Sequence, residues 1–282
     1  MVCKAPFYVK DSKIVVPCGN CVACRIRRRE EWVSRMVLES FCHDYMTFVT
    51  LTYAPEYLPA NASLVKADLQ KFFKRLRKFY PKPLRYFACG EYGDQFKRPH
   101  YHAIIFGMHT LEAWSFVEKS WRFGIIDCRD ADVVQMRYVA GYVAKKMSAS
   151  RSQWYKDNPD LLPEFVLVSR RPGLGVPALD KMRDVLFQGL DIAPFFRVGA
   201  KKHYLSRFFR NKASELLLDK DYADMLKKAK VLNYHNDLVQ LVYDAGYSLY
   251  NEFTASKTVS DGCKDSISAL ESLQWRKIRK DL

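Results

Sequence analysis

The sequence predicts an α+β fold with a mostly antiparallel sheet, and three observations support it. Stretches rich in β-branched and aromatic residues predict strands at 45–53, 84–89 and 101–106. Apolar residues at helical spacing predict an amphipathic helix at 68–80, between the first two strands. Further helical patterns follow the third strand, an order that is typical of α+β domains.

The remaining elements follow from the same patterns. An extended, cysteine-bearing segment at 1–24 precedes a basic helix at 25–41. Prolines break the chain after the first strand and after the helix that follows it. Further helices are expected at 111–120 and 138–147, and short strands at 124–128 and 133–135.

A change of composition near residue 150 suggests the domain organisation. The chain becomes rich in proline and glycine, then basic and largely helical from about residue 178 to the end. We expect a basic N-terminal segment and helix at 1–42, a core at 43–150 and a C-terminal extension at 151–282.

The charge balance favours a polyanionic partner. The 282 residues contain 46 lysines and arginines against 31 acidic residues, a net charge of +15. Neutralising phosphates releases counterions, so such an excess favours nucleic acid over a membrane. No apolar run approaches the roughly 20 residues that span a bilayer, and no signal peptide is evident, so a cytosolic location is expected.

Four cysteines near the N-terminus form a candidate zinc site. Cys18, Cys21 and Cys24 follow one another at a spacing of three, and Cys3 could supply a fourth thiolate. Disulfides are not expected in a cytosolic chain of this kind. An iron–sulfur cluster or unliganded thiols are the alternatives.

A His-x-His pair is the strongest sign of chemistry. In a strand, His100 and His102 point to the same face with Cα atoms roughly 6–7 Å apart, while Tyr101 points to the other. A hairpin with the preceding strand would bring the carboxylate of Glu91 towards both imidazoles. Two histidines and one carboxylate suit Mg²⁺ or Mn²⁺ acting on phosphate esters. Two ordinary strand histidines and a solvated turn glutamate remain the alternative.

Two tyrosines on the next helix are candidate nucleophiles. Tyr138 and Tyr142 are four residues apart and share a helix face, and Lys145 follows Tyr142 at i+3. A phenol has a pKa near 10 and needs a cation nearby to attack phosphorus. Without the histidine pair, two aromatic core residues would be the better interpretation.

These motifs resemble those of the HUH endonucleases. His100-Tyr101-His102 is similar to their His-hydrophobic-His motif, 142–145 to their Y-x-x-K motif, and 48–53 to their first, strand-borne motif. The resemblance is closer to the replication initiators of small single-stranded DNA phages, the microviruses, especially the gokushovirus branch. The stretches that carry it span about residues 15–175: 17–25, 50–53, 90–93, 98–102, 138–142 and 169–175.

The resemblance implies a ferredoxin-like core, a location in the bacterial host cytoplasm and a nicking mechanism. His100, His102 and Glu91 would hold the metal, and one tyrosine would attack origin DNA, leaving a 5′-phosphotyrosyl link and a 3′-OH for a host polymerase. The second tyrosine would act after a round of synthesis, when the ends are rejoined. The lysine at i+3 favours Tyr142 as the first nucleophile. No P-loop motif occurs, so a host helicase is an expected partner.

Basic residues in several places are candidates for DNA binding, with Tyr86, Tyr92 and Phe96 as candidates for base stacking. The basic candidates are Arg25, Arg27, Arg28, Lys71, Arg75, Lys78, Lys146, Lys201, Lys202, Arg207 and Arg210. A solvated basic face is the alternative for each of them.

Other functions compete with this interpretation. A plasmid initiator, a transposase or a relaxase would share the core chemistry. A non-catalytic DNA- or RNA-binding protein would use the same tyrosines and histidines structurally, and a zinc-ribbon regulator would leave the later motifs unexplained.

Overall fold

The computed structural model describes residues 3–9, 14–93, 95–149, 153–188, 191–193 and 195–217. Contacts divide the chain into two compact units, one of Arg28–Leu217 and one that contains Met1–Arg27. In the second of these, strands β1 (Phe7–Val9) and β2 (Ile14–Val16) pair as a short antiparallel hairpin, and helix α1 (Val22–Ser40) begins.

The larger unit is organised around a five-stranded antiparallel sheet. Its strands are β3 (Met46–Tyr53), β4 (Arg85–Tyr92), β5 (Pro99–Phe106), β6 (Gly124–Asp130) and β7 (Phe165–Val168). Their spatial order is β6-β3-β5-β4-β7. Helix α2 (Lys66–Phe79) joins β3 to β4, and helix α3 (Thr110–Ser120) joins β5 to β6. This βαββαβ succession and strand order are ferredoxin-like, which confirms the predicted α+β class.

One face of the sheet is covered by α2 and α3. Both helices bury apolar side chains against the strands, and Tyr101 lies fully buried between them. The side chains of the core residues alternate with those of the opposite face along each strand, as the pleat requires. The cluster comprises, among others, Val49, Leu51, Leu69, Phe72, Phe73, Leu76, Ala103, Ile105, Ala113 and Val117.

The opposite face carries the histidines. His100 and His102 lie on it, and helix α4 (Val133–Ala149) packs over it through Tyr138, whose ring contacts Phe48. The part of α1 within this unit also contacts it, where Trp32 meets Phe87. The sheet therefore separates a closed aromatic core from a face on which polar groups collect.

Two predicted elements differ from the structure. Residues 133–135 form the first turn of α4 rather than a strand, so that prediction was wrong. The backbone N–H groups of Val134 and Gln135 donate to Oδ1 of Asp132 at 2.5 and 3.4 Å, and the Gln135 side chain accepts from the Asp132 N–H at 2.9 Å. This reciprocal cap starts a helix where β-branched valines favoured a strand.

The region after residue 178 is less helical than predicted. Two four-residue helices (Ala178–Lys181 and Arg183–Leu186, α6 and α7) precede two hairpins, β8–β9 (Phe187–Gln188 and Asp191–Ile192) and β10–β11 (Phe195–Val198 and Lys201–Tyr204). Helix α8 (Arg207–Leu217) follows, and a short α5 (Gln153–Asp157) lies before β7. The predicted helical structure beyond residue 217 lies outside the described residues. The division at residues 42 and 150 stays a prediction.

No helix in the described part of the chain combines the length and apolar character needed to cross a membrane.

Candidate functional site

The register of the sheet brings Glu91, His100 and His102 together. Glu91 pairs directly with His100 across β4 and β5, and Cys89 pairs with His102. Because β4 extends to Tyr92, three residues beyond the predicted end, Glu91 is a strand residue and not a turn residue. It is 3% exposed, so it is not a solvated glutamate.

One carboxylate oxygen is the centre of the cluster. Oε1 of Glu91 lies 2.7 Å from Nε2 of His100 and 2.9 Å from Nε2 of His102. The phenol of Tyr138 donates to the same oxygen at 3.1 Å and lies 3.4 Å from Nε2 of His102. Four functional groups from two strands and one helix therefore converge on a single point.

Neighbouring groups orient both imidazoles. Nδ1 of His100 donates to the backbone carbonyl of Arg98 at 3.0 Å. Nδ1 of His102 lies 3.0 Å from the hydroxyl of Thr50, which is its direct neighbour on β3, and Phe48 stacks on its ring at 5.3 Å. Such contacts hold histidine ligands in the ring orientation that a metal requires, with Nε2 facing the site.

The donor set fits a divalent cation. With Nδ1–H of a neutral His100 committed to a carbonyl, its Nε2 presents a lone pair to a carboxylate oxygen, an arrangement that a cation would stabilise. The ligand atoms of Glu91, His100 and His102 lie within 4.8 Å of one another. Ligands at right angles around Mg²⁺ lie about 3.0 Å apart, close to the Glu91–histidine distances.

The electrostatics of the cluster depend on that carboxylate. Burial alone would raise the pKa of Glu91, but hydrogen bonds from His100, His102 and Tyr142 outweigh it and hold the pKa well below its usual range. Burial lowers the pKa of His102, despite the nearby carboxylate, and so favours its neutral form. A neutral imidazole is the form that binds metal ions.

The two tyrosines lie side by side on α4. Their ring centroids are 5.3 Å apart, and Tyr142 stacks near His102 with centroids 6.3 Å apart. Tyr138 is 47% exposed and Tyr142 is 5% exposed. Burial, together with the negative charge of Glu91, raises the pKa of Tyr138 to about 12 and raises that of Tyr142 further. The side chains of Lys145 and Lys146 lie outside the described residues.

Several predicted DNA contacts do not lie at this cluster. Lys71, Arg75 and Lys78 belong to α2, which covers the opposite face of the sheet, so they do not line a channel with Glu91. Nε of Arg75 donates to the carbonyl of Ser120 at 2.7 Å, which gives this residue a structural contact.

The aromatic candidates for base stacking divide in the same way. Tyr92 is buried, with its hydroxyl accepting from the N–H of Leu64 at 3.0 Å, and Tyr86 stacks on Phe73 at 3.6 Å. Those two assignments were wrong, because apolar packing consumes both rings. Phe96 is 88% exposed between β4 and β5 and remains available to a base.

The other basic candidates lie elsewhere in the chain. Arg25 and Arg27 belong to the first turns of α1, and exposed Arg28 pairs with Glu31 at 3.3 Å. Lys201 and Lys202 belong to β11, and Arg207 and Arg210 to α8. Sequence reasoning missed Thr50, since a threonine in a strand gives no sign of a histidine partner until the register is known.

Comparisons with known proteins point to phage replication. Residues 46–149 match the family model of the ORF2-type replication-associated proteins. Replication-associated protein VP4 of Bdellovibrio phage phiMH2K is 27% identical over 248 residues, covering 80% of this chain and 77% of that protein. Replication-associated protein ORF2 of Spiroplasma virus 4 is 26% identical over 247 residues, covering 79% and 74%.

A third relative matches over a shorter stretch. Replication-associated protein ORF4 of Chlamydia phage 1 is 29% identical over 160 residues, 49% of this chain and 40% of that protein. No solved structure matches this chain. The resemblance to the replication proteins of small phages is thereby confirmed: the stretch that carries Glu91, both histidines and both tyrosines is similar to the ORF2-type family of replication-associated proteins.

Proposed function

We propose that this chain initiates rolling-circle replication by nicking single-stranded origin DNA through a tyrosine, as a metal-dependent endonuclease. The convergence on Glu91 carries the proposal. Its Oε1 lies within 2.9 Å of both histidine Nε2 atoms and 3.1 Å from the phenol of Tyr138. Three metal ligands and a nucleophile around one point form the set that phosphodiester transfer requires.

Glu91, His100 and His102 would hold Mg²⁺ or Mn²⁺. When bound, the ion would polarise a phosphate oxygen and offset the negative charge of Glu91 beside the phenols. The partners of the two Nδ1 atoms, the Arg98 carbonyl and the Thr50 hydroxyl, would keep both imidazoles in place.

The reaction itself belongs to the tyrosines. The phenol oxygen of one tyrosine would attack phosphorus as the bond to the 3′ oxygen breaks. The products would be a 5′-phosphotyrosyl link and a 3′ oxygen that takes up a proton, while the phenol proton leaves to the solvent. Because the pKa of Tyr138 is raised to about 12 beside Glu91, the phenol keeps its proton at neutral pH unless positive charge is brought to the site.

Exposure favours Tyr138 as the first nucleophile. Almost half of its side chain is accessible, whereas Tyr142 is 5% exposed. The Y-x-x-K spacing favoured Tyr142 instead. Two phenols on one helix face, both beside His102, suit an alternation in which the second tyrosine acts when the strand is closed into a circle.

The partners follow from this role. The substrate would be a single-stranded phage origin in the cytoplasm of a bacterial host, and the relatives' names, which connect them with replication in phages, support this. Host helicase would unwind the duplex form, and host DNA polymerase would extend the 3′-OH. The net charge of +15 supports binding to DNA.

A nicking assay tests the proposal. The full chain is incubated with Mn²⁺ and end-labelled single-stranded DNA from its own genome, and the products are separated on a denaturing gel. We expect a labelled protein band that requires the metal, is reduced in Tyr138→Phe and disappears in Tyr138→Phe/Tyr142→Phe. Tyr45→Phe, at an exposed tyrosine outside the cluster, is the matched control and should retain the band. DNA binding without any nick or adduct would favour a non-catalytic nucleic-acid-binding protein.

Replacing Thr50 with valine should weaken metal binding about 10- to 100-fold, as the loss of a partner that orients a ligand usually does. The valine keeps the shape of the strand residue but leaves Nδ1 of His102 without the hydroxyl 3.0 Å away. Titration with Mn²⁺, followed by the EPR signal of the free ion, measures the affinity.

Thr52→Val is the matched control for this variant. Thr52 pairs with His100 in the register, but the backbone carbonyl of Arg98 already holds the Nδ1 of that histidine. The control should therefore bind Mn²⁺ almost as the unaltered chain does. Equal affinities for Thr50→Val and the unaltered chain would contradict the positioning role of Thr50.

A further inference from the structure

The N-terminal cysteines converge in space. The sulfur atoms of Cys3, Cys18, Cys21 and Cys24 all lie within 4.8 Å of one another, and the Sγ atoms of Cys3 and Cys21 are 3.9 Å apart. Four thiolates around a zinc ion at about 2.3 Å lie about 3.8 Å from one another. We propose that these four cysteines bind one structural Zn²⁺ ion, at a site separate from Glu91, His100 and His102.

The four ligands come from three segments of chain. Cys3 precedes β1, Cys18 follows β2, and Cys21 and Cys24 lie at the start of α1. The hairpin between β1 and β2 pairs only three residues on each strand, which is too few to be stable alone in water. A metal held by all three segments would join the hairpin to the start of the helix, and its binding energy would contribute to folding.

The backbone around the sulfurs supports thiolate ligands. The N–H groups of Asn20 and Cys21 donate to Sγ of Cys18 at 3.4 and 3.3 Å, and the N–H of Cys18 donates to Sγ of Cys3 at 3.1 Å. Gly19 has a φ of +75°, which allows the turn that aims two N–H groups at one sulfur. Hydrogen bonds of this kind stabilise negative charge on sulfur and resemble the partners that surround metal ligands elsewhere.

The charge around the cluster agrees with a metal–thiolate centre. Four thiolates and one Zn²⁺ carry a net charge of −2, and binding releases the thiol protons. A guanidinium nitrogen of Arg27 lies 3.8 Å from Sγ of Cys24, so a cation already approaches one of the sulfurs. Cys3 and Cys24 are 5% and 4% exposed, which limits the access of oxidants and chelators to the sulfurs.

Metal analysis of the full chain tests the site. The protein is expressed with zinc in the medium, and its metals are measured by inductively coupled plasma mass spectrometry after dialysis. We expect one tightly held zinc per chain, lost in Cys21→Ser and in Cys24→Ser. Cys42→Ser is the matched control, because this half-buried cysteine lies outside the cluster, and it should keep the zinc. Zinc retained in both cluster variants would overturn the proposal.

Cobalt substitution provides a measurement that needs no variant. Co²⁺ in the unaltered chain should give the near-ultraviolet thiolate-to-cobalt charge-transfer band and the intense visible bands of a tetrahedral site. A metal at Glu91, His100 and His102 has no sulfur ligand and gives no such charge-transfer band. Disulfides detected by mass spectrometry, an iron–sulfur chromophore, or four thiols that react freely in the zinc-supplied protein would each overturn the proposal.

Discussion

Replacing Glu91 with glutamine is expected to reduce metal-dependent nicking by at least about 100-fold. Loss of a partner that merely orients a ligand costs up to about 100-fold in metal affinity or activity, and Glu91 is proposed as a ligand itself. The amide keeps the shape of the side chain but removes the charge that both Nε2 atoms approach within 2.9 Å. The rate of appearance of nicked single-stranded origin DNA, measured at saturating Mn²⁺, gives the effect.

Glu118→Gln is the control for this variant. Glu118 is an exposed glutamate on α3, which covers the other face of the sheet, so its replacement should leave nicking unchanged. Far-ultraviolet circular dichroism of both variants checks that the fold is retained. A folded Glu91→Gln variant that nicks at the rate of the unaltered chain would contradict the assignment of Glu91.

The second large effect concerns stability. Replacing Glu39 with alanine is expected to lower the free energy of unfolding by about 3–5 kcal/mol, the usual result when one partner of a buried ion pair is removed. The side chain of Glu39 is fully buried and accepts from Arg85 at 2.5 and 3.3 Å, from the Gly175 N–H at 2.5 Å, and lies 2.9 Å from Nε2 of His43. It joins α1 to β4 and to the turn that precedes α6.

Urea denaturation of the full chain measures this difference. The control is Glu30→Ala, which removes an exposed pair with Arg29 and should cost no more than about 1 kcal/mol. If the two variants lose the same free energy, the Glu39 network does not hold these segments together.

The same carboxylate predicts a pH dependence. Burial would raise the pKa of Glu39, but hydrogen bonds from His43, Gly175 and Arg85 outweigh it, so the pKa lies below the ordinary value of 4.5. A depressed carboxyl pKa contributes stability above the unfolded value, and that contribution is lost as the pH falls from there towards the folded value. The difference in unfolding free energy between the unaltered chain and Glu39→Gln should therefore shrink on acidification below about pH 4.5. A difference that stays constant or grows over this range would contradict it.

Local patterns were enough to predict the main strands and helices of the core. The alternation in 45–53 and the periodicity in 68–80 each gave an element within two residues of its observed bounds. Both depend on burial on one side only, which leaves a regular trace in the sequence. The convergence of His100, His102 and Glu91 was also foreseen, because a hairpin fixes which residues face one another.

Other features depend on contacts that a pattern does not reveal. The start of α4 is set by the Asp132 and Gln135 side chains, which override the strand preference of two valines. The partner of His102 comes from β3, which is separated from it by about fifty residues. Helix α2 has a basic face suitable for DNA, yet it packs on the face of the sheet away from Glu91, and only the topology decides which face a helix covers.

The most direct test of the proposed nicking centre is to identify the residue that becomes linked to DNA. The full chain reacts once with its single-stranded origin and Mn²⁺, nuclease trims the DNA, and peptide mass spectrometry locates the remaining nucleotide. We expect the nucleotide on Tyr138 or Tyr142, attached through its 5′ phosphate, and no product when His102 is replaced by alanine. His109→Asn is the histidine control and should react normally. A nucleotide on any other residue, or an adduct that forms without metal, would contradict the account.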